Sequence, residues 1–482
     1  MLARAFSTQP RIHFPAVSIR LLKHVPGRLL TAGLLAAAGN MSPAQAQQQP
    51  GPWLAQSTET RSAVLQRLAT DAAGNTYLTG RFTGQIRFGA TRLVSQGRSD
   101  AFVAKLTAGG QWAWAVGVGG AESDGATDLA LDAQGNLLVA GSFTGRVAFG
   151  EREAVSQGGQ DVFVAALTQQ GAWRGVLTAG GPGQDEALAL AAGPQNTVVI
   201  GGRFQGEAVF GAHRLQAAAS NDGFVARLDQ SGTWTWATSV GASEQGAVRR
   251  VAINGQGEVV ATGYVGGTAR FGAYPVAGQG THNAFVAQLS GNGTWQWATA
   301  GLSASTTYGN ALALDEQNRV YVAGSYSGSA SFGSHHLSSQ GGDDAYVARL
   351  SAAGQWQWVT SVQGQALETS QGLALSALGT LYVVGSSSRA AVGPGAALAN
   401  QGGLDVFLGS LSTEGAWLGA QTVGTRGPDE ATAVALNPAG EVVVGGTFSF
   451  SEPDSGLAPQ LVVGRFRLSD AYPPTVQHGT RP

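Results

Sequence analysis

The stretch Asp128-Leu-Ala-Leu-Asp-Ala-Gln-Gly-Asn-Leu-Leu-Val-Ala-Gly141 decides the fold, because its pattern returns every 61 residues. Two short apolar segments flank an Asp-x-x-Gly-Asn turn, which is typical of antiparallel strands joined by a hairpin. The first position of the turn recurs without drift in seven copies, at Asp71, Asp132, Gly193, Asn254, Asp315, Ser376 and Asn437. A fixed period of this length indicates that each copy is one supersecondary unit.

The rest of each unit predicts two further strands. In the second copy, a longer loop containing Phe149-Gly150 leads to a strand at residues 161–167, and Trp173 begins another. Four antiparallel strands joined by Gly-bearing turns make one blade of a β-propeller. The seventh copy lacks its fourth strand, which Trp53-Leu-Ala-Gln supplies from the N-terminus. This pairing closes a ring without free edges, so the sequence predicts an all-β, seven-bladed β-propeller over residues 52–468.

Several positions of the repeat hold one kind of residue in every copy. A glycine recurs inside the second strand, from Gly80 to Gly446, and predicts a bulge or a close backbone approach. Alanine recurs in the first strand, from Ala69 to Ala435, as expected for the innermost strand where blades converge. The last turn position is always Gly or Asn, which predicts a positive φ there: Gly74, Gly135, Asn196, Gly257, Asn318, Gly379 and Gly440.

The composition excludes several other classes of protein. The 482 residues include 72 glycines, and 43% are hydrophobic while only 12% are charged, which excludes a disordered chain. No cysteine is present, so disulfides and thiolate metal sites are excluded. The net charge is −2 and becomes more negative once a basic leader is removed, so we expect no nucleic-acid partner, which would need a basic stripe.

Residues 1–46 are interpreted as an export signal. Five basic residues and no acid precede an apolar stretch at 29–38, and Ala44-Gln-Ala46 offers a small-x-small cleavage pattern. That stretch is too short to cross a membrane, so we expect a secreted or extracytoplasmic protein without a transmembrane segment, in the periplasm or at the cell surface. The alternative is a disordered leader on a cytoplasmic protein. A short tail follows the propeller at 469–482.

The repeat resembles the bacterial exported β-propeller repeat family labelled SBBP. The resemblance covers residues 53–468 and is carried by Asp100-Ala-Phe-Val-Ala-Lys-Leu106, Gly110-Gln-Trp112 and Asp132-Ala-Gln-Gly-Asn136. It implies an exported or surface protein, and it implies no shared reaction.

All 11 tryptophans follow the period. Six recur at the 61-residue spacing from Trp112 to Trp417, four lie two residues further on, and Trp53 lies 59 residues before Trp112. A spacing of two along a strand predicts that both rings share one face. We favour packing between blades for these rings. The alternative is sugar binding by the second-position rings, which we expect to be the more exposed members: Trp114, Trp236, Trp297 and Trp358.

Two sets of acidic residues offer candidate metal ligands. One precedes the first strand, where loops at one channel mouth could hold a cation such as calcium, or could simply form a solvated rim: Asp124, Asp185, Glu368 and Asp429. The second set begins the third strand and is better explained by side chains that bond nearby backbone N–H groups: Asp100, Asp161, Asp222, Asn283, Asp344 and Asp405. No other cofactor is expected.

These features predict an exported, non-catalytic propeller that serves as a monomeric binding scaffold for an extracytoplasmic protein or polysaccharide. One alternative is a lectin-like protein that binds polysaccharide through exposed tryptophans. Another is a carbohydrate-active enzyme, which the near-uniform copies do not favour. No His-Glu-x-x-His, Gly-x-Ser-x-Gly or phosphate-loop motif occurs. If the function is localised, departures from the repeat at 386–395 and 448–459 predict a site on the sixth or seventh blade.

Overall fold

Seven antiparallel sheets, each built on four blade strands, form a ring in this computed structural model. It describes residues 53–58, 62–388, 390–392, 396–398, 400, 402–452 and 456–466. The leader 1–46 and the tail 469–482 lie outside the described residues. The prediction of a seven-bladed β-propeller is confirmed.

The strands of each blade run from the channel outward in chain order. Blade one has β2 (Ser62–Thr70), β3 (Thr76–Thr83), β6 (Asp100–Leu106) and β7 (Trp112–Val118). Blade two has β8 (Gly125–Leu131), β9 (Leu137–Phe149), β10 (Arg152–Leu167) and β11 (Trp173–Ala179). Blade three has β12 (Glu186–Ala192), β13 (Val198–Phe204), β16 (Asp222–Leu228) and β17 (Trp234–Ser239). Blade four has β18 (Gln245–Ile253), β19 (Val259–Gly266), β22 (Asn283–Leu289) and β23 (Trp295–Ser303).

The remaining blades follow the same plan. Blade five has β24 (Thr306–Leu314), β25 (Val320–Ser327), β28 (Asp344–Leu350) and β29 (Trp356–Gly364). Blade six has β30 (Glu368–Leu375), β31 (Thr380–Ser387), β34 (Asp405–Ser412) and β35 (Trp417–Val423). Blade seven has β36 (Glu430–Leu436), β37 (Val442–Glu452) and β38 (Gly456–Phe466), with β1 (Trp53–Gln56) as its outer strand.

The loop expected around the Phe-Gly element is a β-hairpin instead. Separate short strands form it in five blades: β4 (Gln85–Phe88) with β5 (Thr91–Val94), β14 (Glu207–Phe210) with β15 (His213–Gln216), β20 (Thr268–Phe271) with β21 (Tyr274–Ala277), β26 (Ser329–Phe332) with β27 (His335–Ser338), and β32 (Ala390–Val392) with β33 (Ala396–Ala397). Gly89 turns the first of these at φ +58°, and Phe88 is buried against Phe102 and Trp112. The element is therefore structured because its Phe belongs to the core.

Each hairpin also ties its blade to the preceding one. Gly301 of β23 pairs with Phe332 of β26, and Val362 of β29 pairs with Val392 of β32. At the ring closure, Thr58 and Arg87 exchange two backbone hydrogen bonds. The hairpins thus cover outer strand edges that would otherwise be free to pair with another chain.

The ring closes through the N-terminal strand, as the sequence predicts. Trp53 lies opposite Arg465, in the register that Trp114 takes opposite Lys105. The backbone of Trp53 therefore corresponds to that of Trp114, which lies one full period of 61 residues later, and not to that of Trp112. A buried ion pair between Arg465 and Glu441, at 3.2 Å, supports the same blade.

The repeated turns take the backbone conformation expected from their residues. Position 74 and its equivalents have a positive φ in all seven copies, including +55° at Asn196 and +57° at Asn318. In the first copy the Asp71 carboxylate accepts the backbone N–H groups of Ala73 and Asn75, each at 2.9 Å. This local bonding explains why Asp, Asn or Ser leads most copies of the turn.

The glycine repeated in the second strand permits a bulge in the first. A Cβ on Gly80 would lie 2.0 Å from the carbonyl oxygen of Val64, and one on Gly324 would lie 1.7 Å from that of Tyr308. Beside each such glycine, the first strand inserts one extra residue, as Gln66 does between Leu65 and Arg67. Both predicted consequences, the bulge and the close approach, are confirmed.

Candidate functional site at the central channel

The bulges give the channel wall one irregularly placed side chain per blade. In each first strand the register skips one residue, so seven residues stand outside the regular ladder: Gln66, Thr127, Leu188, Arg249, Asn310, Gln371 and Thr432. Bulges often re-aim a side chain toward a functional site. The neighbouring glycine never varies, whereas these seven residues are of five different kinds.

A cavity of about 280 Å³ lies on the axis of the ring. Its lining includes residues from the inner strands of six blades, which only an axial position allows. The bulge residues of blades one to six all line it, together with Glu186, Arg203, Ala247, Arg250 and Tyr264. The cavity is therefore polar, and its charged and aromatic residues come from blades three and four.

Arg249 is the central cation of this cavity. Its guanidinium carbon lies 5.1 Å from the ring centroid of Tyr264 and 4.8 Å from that of Tyr308. Its Nη1 donates to Asn310 Oδ1 at 2.5 Å, and Asn310 is in turn held by its Nδ2 donating to the carbonyl of Ser370 at 3.1 Å. Burial lowers the pKa of Arg249. A guanidinium between two aromatic rings is held in one orientation by cation–π contacts.

The arginines of the channel wall differ in whether a carboxylate neutralises their positive charge. Arg203 makes a two-point ion pair with Glu186, at 3.1 and 2.8 Å, and Arg67 pairs with Asp128 at 3.0 Å. In contrast, Arg249 and Arg250 make no ion pair with a carboxylate in the described part of the chain. Arg250 donates only to the carbonyl groups of Leu188 and Arg249, and its buried Nε has no partner there. The wall therefore carries a net positive charge in a chain whose net charge is −2.

His282 completes the cluster behind Tyr264 and Tyr308. Its Nδ1 lies 2.9 Å from the Tyr308 hydroxyl and its Nε2 lies 2.7 Å from Gln245 Nε2. Burial, with a smaller contribution from Arg249, lowers the pKa of His282. Because both ring nitrogens have partners, His282 serves to position the tyrosines.

The four candidate ligand-binding tryptophans lie at the junctions between blades. Each indole N–H donates to a backbone carbonyl of the next blade: Trp114 to Gln169, Trp236 to Gly291, Trp297 to Ala352 and Trp358 to Thr413, at 3.0 to 3.1 Å. Trp114 packs against Gly171, and Trp236 is only 9% exposed. All four are buried or half-buried, and Trp236 and Trp297 are slightly more exposed than Trp234 and Trp295. Their role in ligand binding stays a prediction.

The expectation that paired tryptophans share a face is wrong. Ala113 is skipped in the register, so that Trp112 lies opposite Leu106 and Trp114 lies opposite Lys105. Neighbouring residues of a strand point to opposite faces, and the two tryptophans do the same. Trp112 donates to Gln56 in the preceding blade, whereas Trp114 reaches the following one.

The first acidic set is buried and is spread over four separate junctions. Asp124 accepts N–H bonds from Gly120 and Thr144, at 2.7 and 3.0 Å, and Asp185 accepts them from Gly181 and Gln205, at 2.7 and 3.2 Å. Asp429 and Glu368 accept equivalent bonds from Ser449 and Ser388. The solvated-rim interpretation is wrong, because these groups are at most 2% exposed. The structure does not bring the four together, so binding of calcium by them stays a prediction.

Each member of this set instead faces an acid of the second set. The pairs are Asp100 with Asp124, Asp161 with Asp185, Asp344 with Glu368, and Asp405 with Asp429. A Cβ on Gly180 would lie 2.7 Å from Asp161 Oδ1 and 3.0 Å from Asp185 Oδ2, so both carboxyl groups border one point. Burial is the main cause that raises the pKa of Asp161 to about 6 and the pKa of Asp185 to about 7. The charge of Asp161 makes a smaller contribution to the raised pKa of Asp185.

Within the described residues, no group of three or more His, Asp or Glu side chains is arranged to hold a metal ion. The same residues contain no helix that is long and apolar enough to cross a membrane.

Comparison with known proteins gives no relative by sequence, because no family model and no curated protein matches the chain. One similar solved structure is the Pan2 WD40 domain of Neurospora crassa, with 10% identity over 88% of this chain and 92% of that one and a TM-score of 0.43. Another is YCF48 bound to D1 peptide, with 10% identity over 88% and 99% and a TM-score of 0.40. Puromycin hydrolase gives 12% identity over 82% and 60%, with a TM-score of 0.33.

These likenesses are too distant to carry an argument about function. The assignment of seven blades rests on the sheet topology, and membership of the SBBP family stays a prediction.

The sequence interpretation missed the channel cluster. Departures from the repeat pointed to blades six and seven, where residues 389, 393–395 and 453–455 lie outside the described part. Two signals for the cluster were present in the sequence. The column from Gln66 to Thr432 holds five kinds of residue, mostly polar, although an alanine recurs three residues after it in every copy, and Arg249-Arg250 is an adjacent basic pair inside an inner strand.

Proposed function

We propose that this protein is an exported, non-catalytic β-propeller that binds an extracytoplasmic ligand in its central channel. The observation that carries this proposal is the cavity of about 280 Å³, whose wall varies in chemistry from blade to blade while the surrounding scaffold repeats. A pocket near this size with a few convergent polar groups is the expected form of a small-ligand site.

The arrangement of charged groups supports binding over catalysis. The cavity lining contains one carboxylate, Glu186, and Arg203 engages both of its oxygens. His282 has a partner on each ring nitrogen. General acid–base catalysis needs a titratable group that is within reach of the substrate and free to exchange a proton with it. Glu186 and His282 are both already hydrogen-bonded to other side chains.

A channel-filling variant tests the proposal. The full chain and its Gln371→Trp variant are applied to an array of polysaccharides, oligosaccharides and extracytoplasmic proteins, with Leu378→Trp on an exposed turn as the control. Binding that Gln371→Trp abolishes and Leu378→Trp preserves would support the channel as the site. Binding that survives in Gln371→Trp would show that a different surface is used, and that the proposal is wrong.

Export requires a separate measurement. The chain is expressed in a bacterium with its first 46 residues intact, and the N-terminus of the protein recovered from the periplasm and medium is determined. We expect cleavage after Ala46, as the small-x-small pattern at Ala44-Gln-Ala46 predicts. Uncleaved protein confined to the cytoplasm would refute export and would leave the channel proposal standing.

A further inference from the structure

We propose that the channel ligand is a small polyhydroxylated oxyanion, a carboxylate or a phosphate carried on a sugar-sized group, and that Arg249 is its anion-binding residue. This inference rests on the proposed function and adds the chemistry of the ligand. It depends on three features of the wall: its uncompensated charge, the fixed orientation of Arg249 and the neutral polar groups around it.

The net positive charge of the channel wall favours an anionic ligand. Arg67 and Arg203 each have a carboxylate partner at about 3 Å, whereas Arg249 and Arg250 have none in the described part of the chain. Even a partly buried cation without a counter-charge carries a desolvation cost. An anionic ligand that enters the cavity supplies the missing charge, so its binding offsets a cost that the empty protein already carries.

The guanidinium of Arg249 is oriented before any ligand arrives. The rings of Tyr264 and Tyr308 lie at 5.1 and 4.8 Å from it, and Asn310 accepts one of its N–H groups. The other N–H groups of Arg249 have no acceptor among the described residues, and Arg249 lines the cavity. A planar guanidinium matches carboxylate and phosphate oxygens in a two-point arrangement, and a fixed side chain loses little entropy on binding.

Neutral polar groups define the rest of the ligand. Gln66 and Gln371 line the cavity, and neither side chain has a hydrogen-bond partner in the described part of the chain. A carboxamide both donates and accepts, which suits hydroxyl groups because they do the same. The volume of about 280 Å³ lies near the lower end of ordinary small-ligand pockets, at roughly 300 Å³, which suits a ligand built on a single sugar ring. Leu188 and Ala247 add an apolar patch for its carbon face.

The test compares matched ligands by isothermal titration of the full chain. The probes are D-galacturonate, D-galactose 6-phosphate and neutral D-galactose, which share one ring and differ at C6. We expect the two anions to bind, galactose to bind at least ~10-fold more weakly, and added salt to weaken the anions alone. The preference between galacturonate and the phosphate identifies which oxyanion the site favours.

Variants assign the effect to Arg249. We expect Arg249→Gln to weaken anion binding by ~10- to 100-fold, which is the usual worth of a hydrogen-bonded charge, and Arg249→Lys to keep part of it. Arg214→Gln, on an exposed hairpin, should leave binding unchanged. Circular dichroism and thermal melting establish that each variant is folded, and Arg249→Lys provides the result if Arg249→Gln does not fold.

Three outcomes would overturn the inference: equal binding of galactose and galacturonate, unchanged anion binding in Arg249→Gln, or no binding of any of the three probes. The array experiment on Gln371→Trp separates this failure from failure of the proposed function. A neutral or cationic ligand that Gln371→Trp excludes would leave the channel as the binding site and refute only the anion.

Discussion

Two regions of this propeller use the same repeat differently. At the junctions between blades, glycine, tryptophan and aspartate recur at fixed positions and bond to neighbouring backbone, as Trp114 and Trp236 do to the next blade. Along the channel wall, the bulged position carries glutamine, threonine, leucine, arginine or asparagine. Junction residues must satisfy the same geometry seven times, whereas a bulged side chain points away from that geometry. The comparison teaches that constancy in this chain reports on the fold and that variation reports on the site.

The largest effect that we expect comes from the glycine beside the bulge. A Cβ at Gly385 would lie 1.7 Å from the carbonyl oxygen of Thr369, so Gly385→Ala should lower the free energy of unfolding by ~4 kcal/mol or more. Gln371→Ala, on the facing strand, should change it by less than ~0.5 kcal/mol. Denaturant unfolding of both variants measures this contrast, and equal losses would contradict the division between fold and site positions.

A slightly smaller loss is expected at a junction tryptophan. Trp236 is 9% exposed and its indole donates to Gly291, so Trp236→Ala should cost about 3 kcal/mol. Blades two and six carry glycine at this position, Gly175 and Gly419. The hydrogen bond from a tryptophan to the next blade is therefore not needed at every junction. Thermal melts and polysaccharide binding are measured together. A variant that keeps full stability but loses binding would support the sugar-binding alternative for the tryptophans.

The acid pairs predict that stability falls as the pH rises. Burial raises the pKa of Asp124, Asp161 and Asp429 to about 6 and the pKa of Asp185 to about 7, so the folded state binds more protons than the unfolded chain. Stability should therefore be greatest near pH 4 to 5 and decline up to about pH 7. The lowered pKa values of Asp229 and Asp315 affect stability only below this window, whereas the lowered pKa of His282 opposes the decline below about pH 6.5 as one group against four. Unfolding free energies measured from pH 4.5 to 8 that rise with pH would contradict the burial of these carboxyl groups in the folded state.

The smallest expected change in stability distinguishes a junction with two facing acids from a junction with one. Asp161→Asn removes one charge of the pair with Asp185 and lets the new amide donate to it, as the natural Asn283 suggests. It should raise stability at pH 8 by about 1 kcal/mol, the value of roughly one pKa unit. Asp222, which faces Gly246 and accepts N–H bonds from Gly223, Gly241 and Ala242, is the matched control. Asp222→Asn should destabilise, and a gain in both variants would show that repulsion between Asp161 and Asp185 is not the cause of the effect.

Much of the fold could be predicted from the repeat, and less of the site. The hairpin at Phe88-Gly89 was missed because an exposed loop and a core-anchored hairpin share the same turn residues. The faces of Trp112 and Trp114 were assigned wrongly, because the bulge at Ala113 breaks the simple alternation of a strand. The interpretation of the acids from Asp124 to Asp429 as a solvated rim is wrong, because the sequence does not show which neighbouring residues bury them.

The period, the seven blades, the strand that closes the ring and the glycines that the backbone requires can all be read from the amino-acid sequence alone. These follow from local rules, since turn conformation and strand alternation depend on neighbouring residues. Only the tertiary structure decided that Arg249, Tyr264, Tyr308 and Asn310 meet in one cavity, and that Asp161 faces Asp185. Such contacts join residues from different blades, and their distances and burial depend on how the closed ring packs.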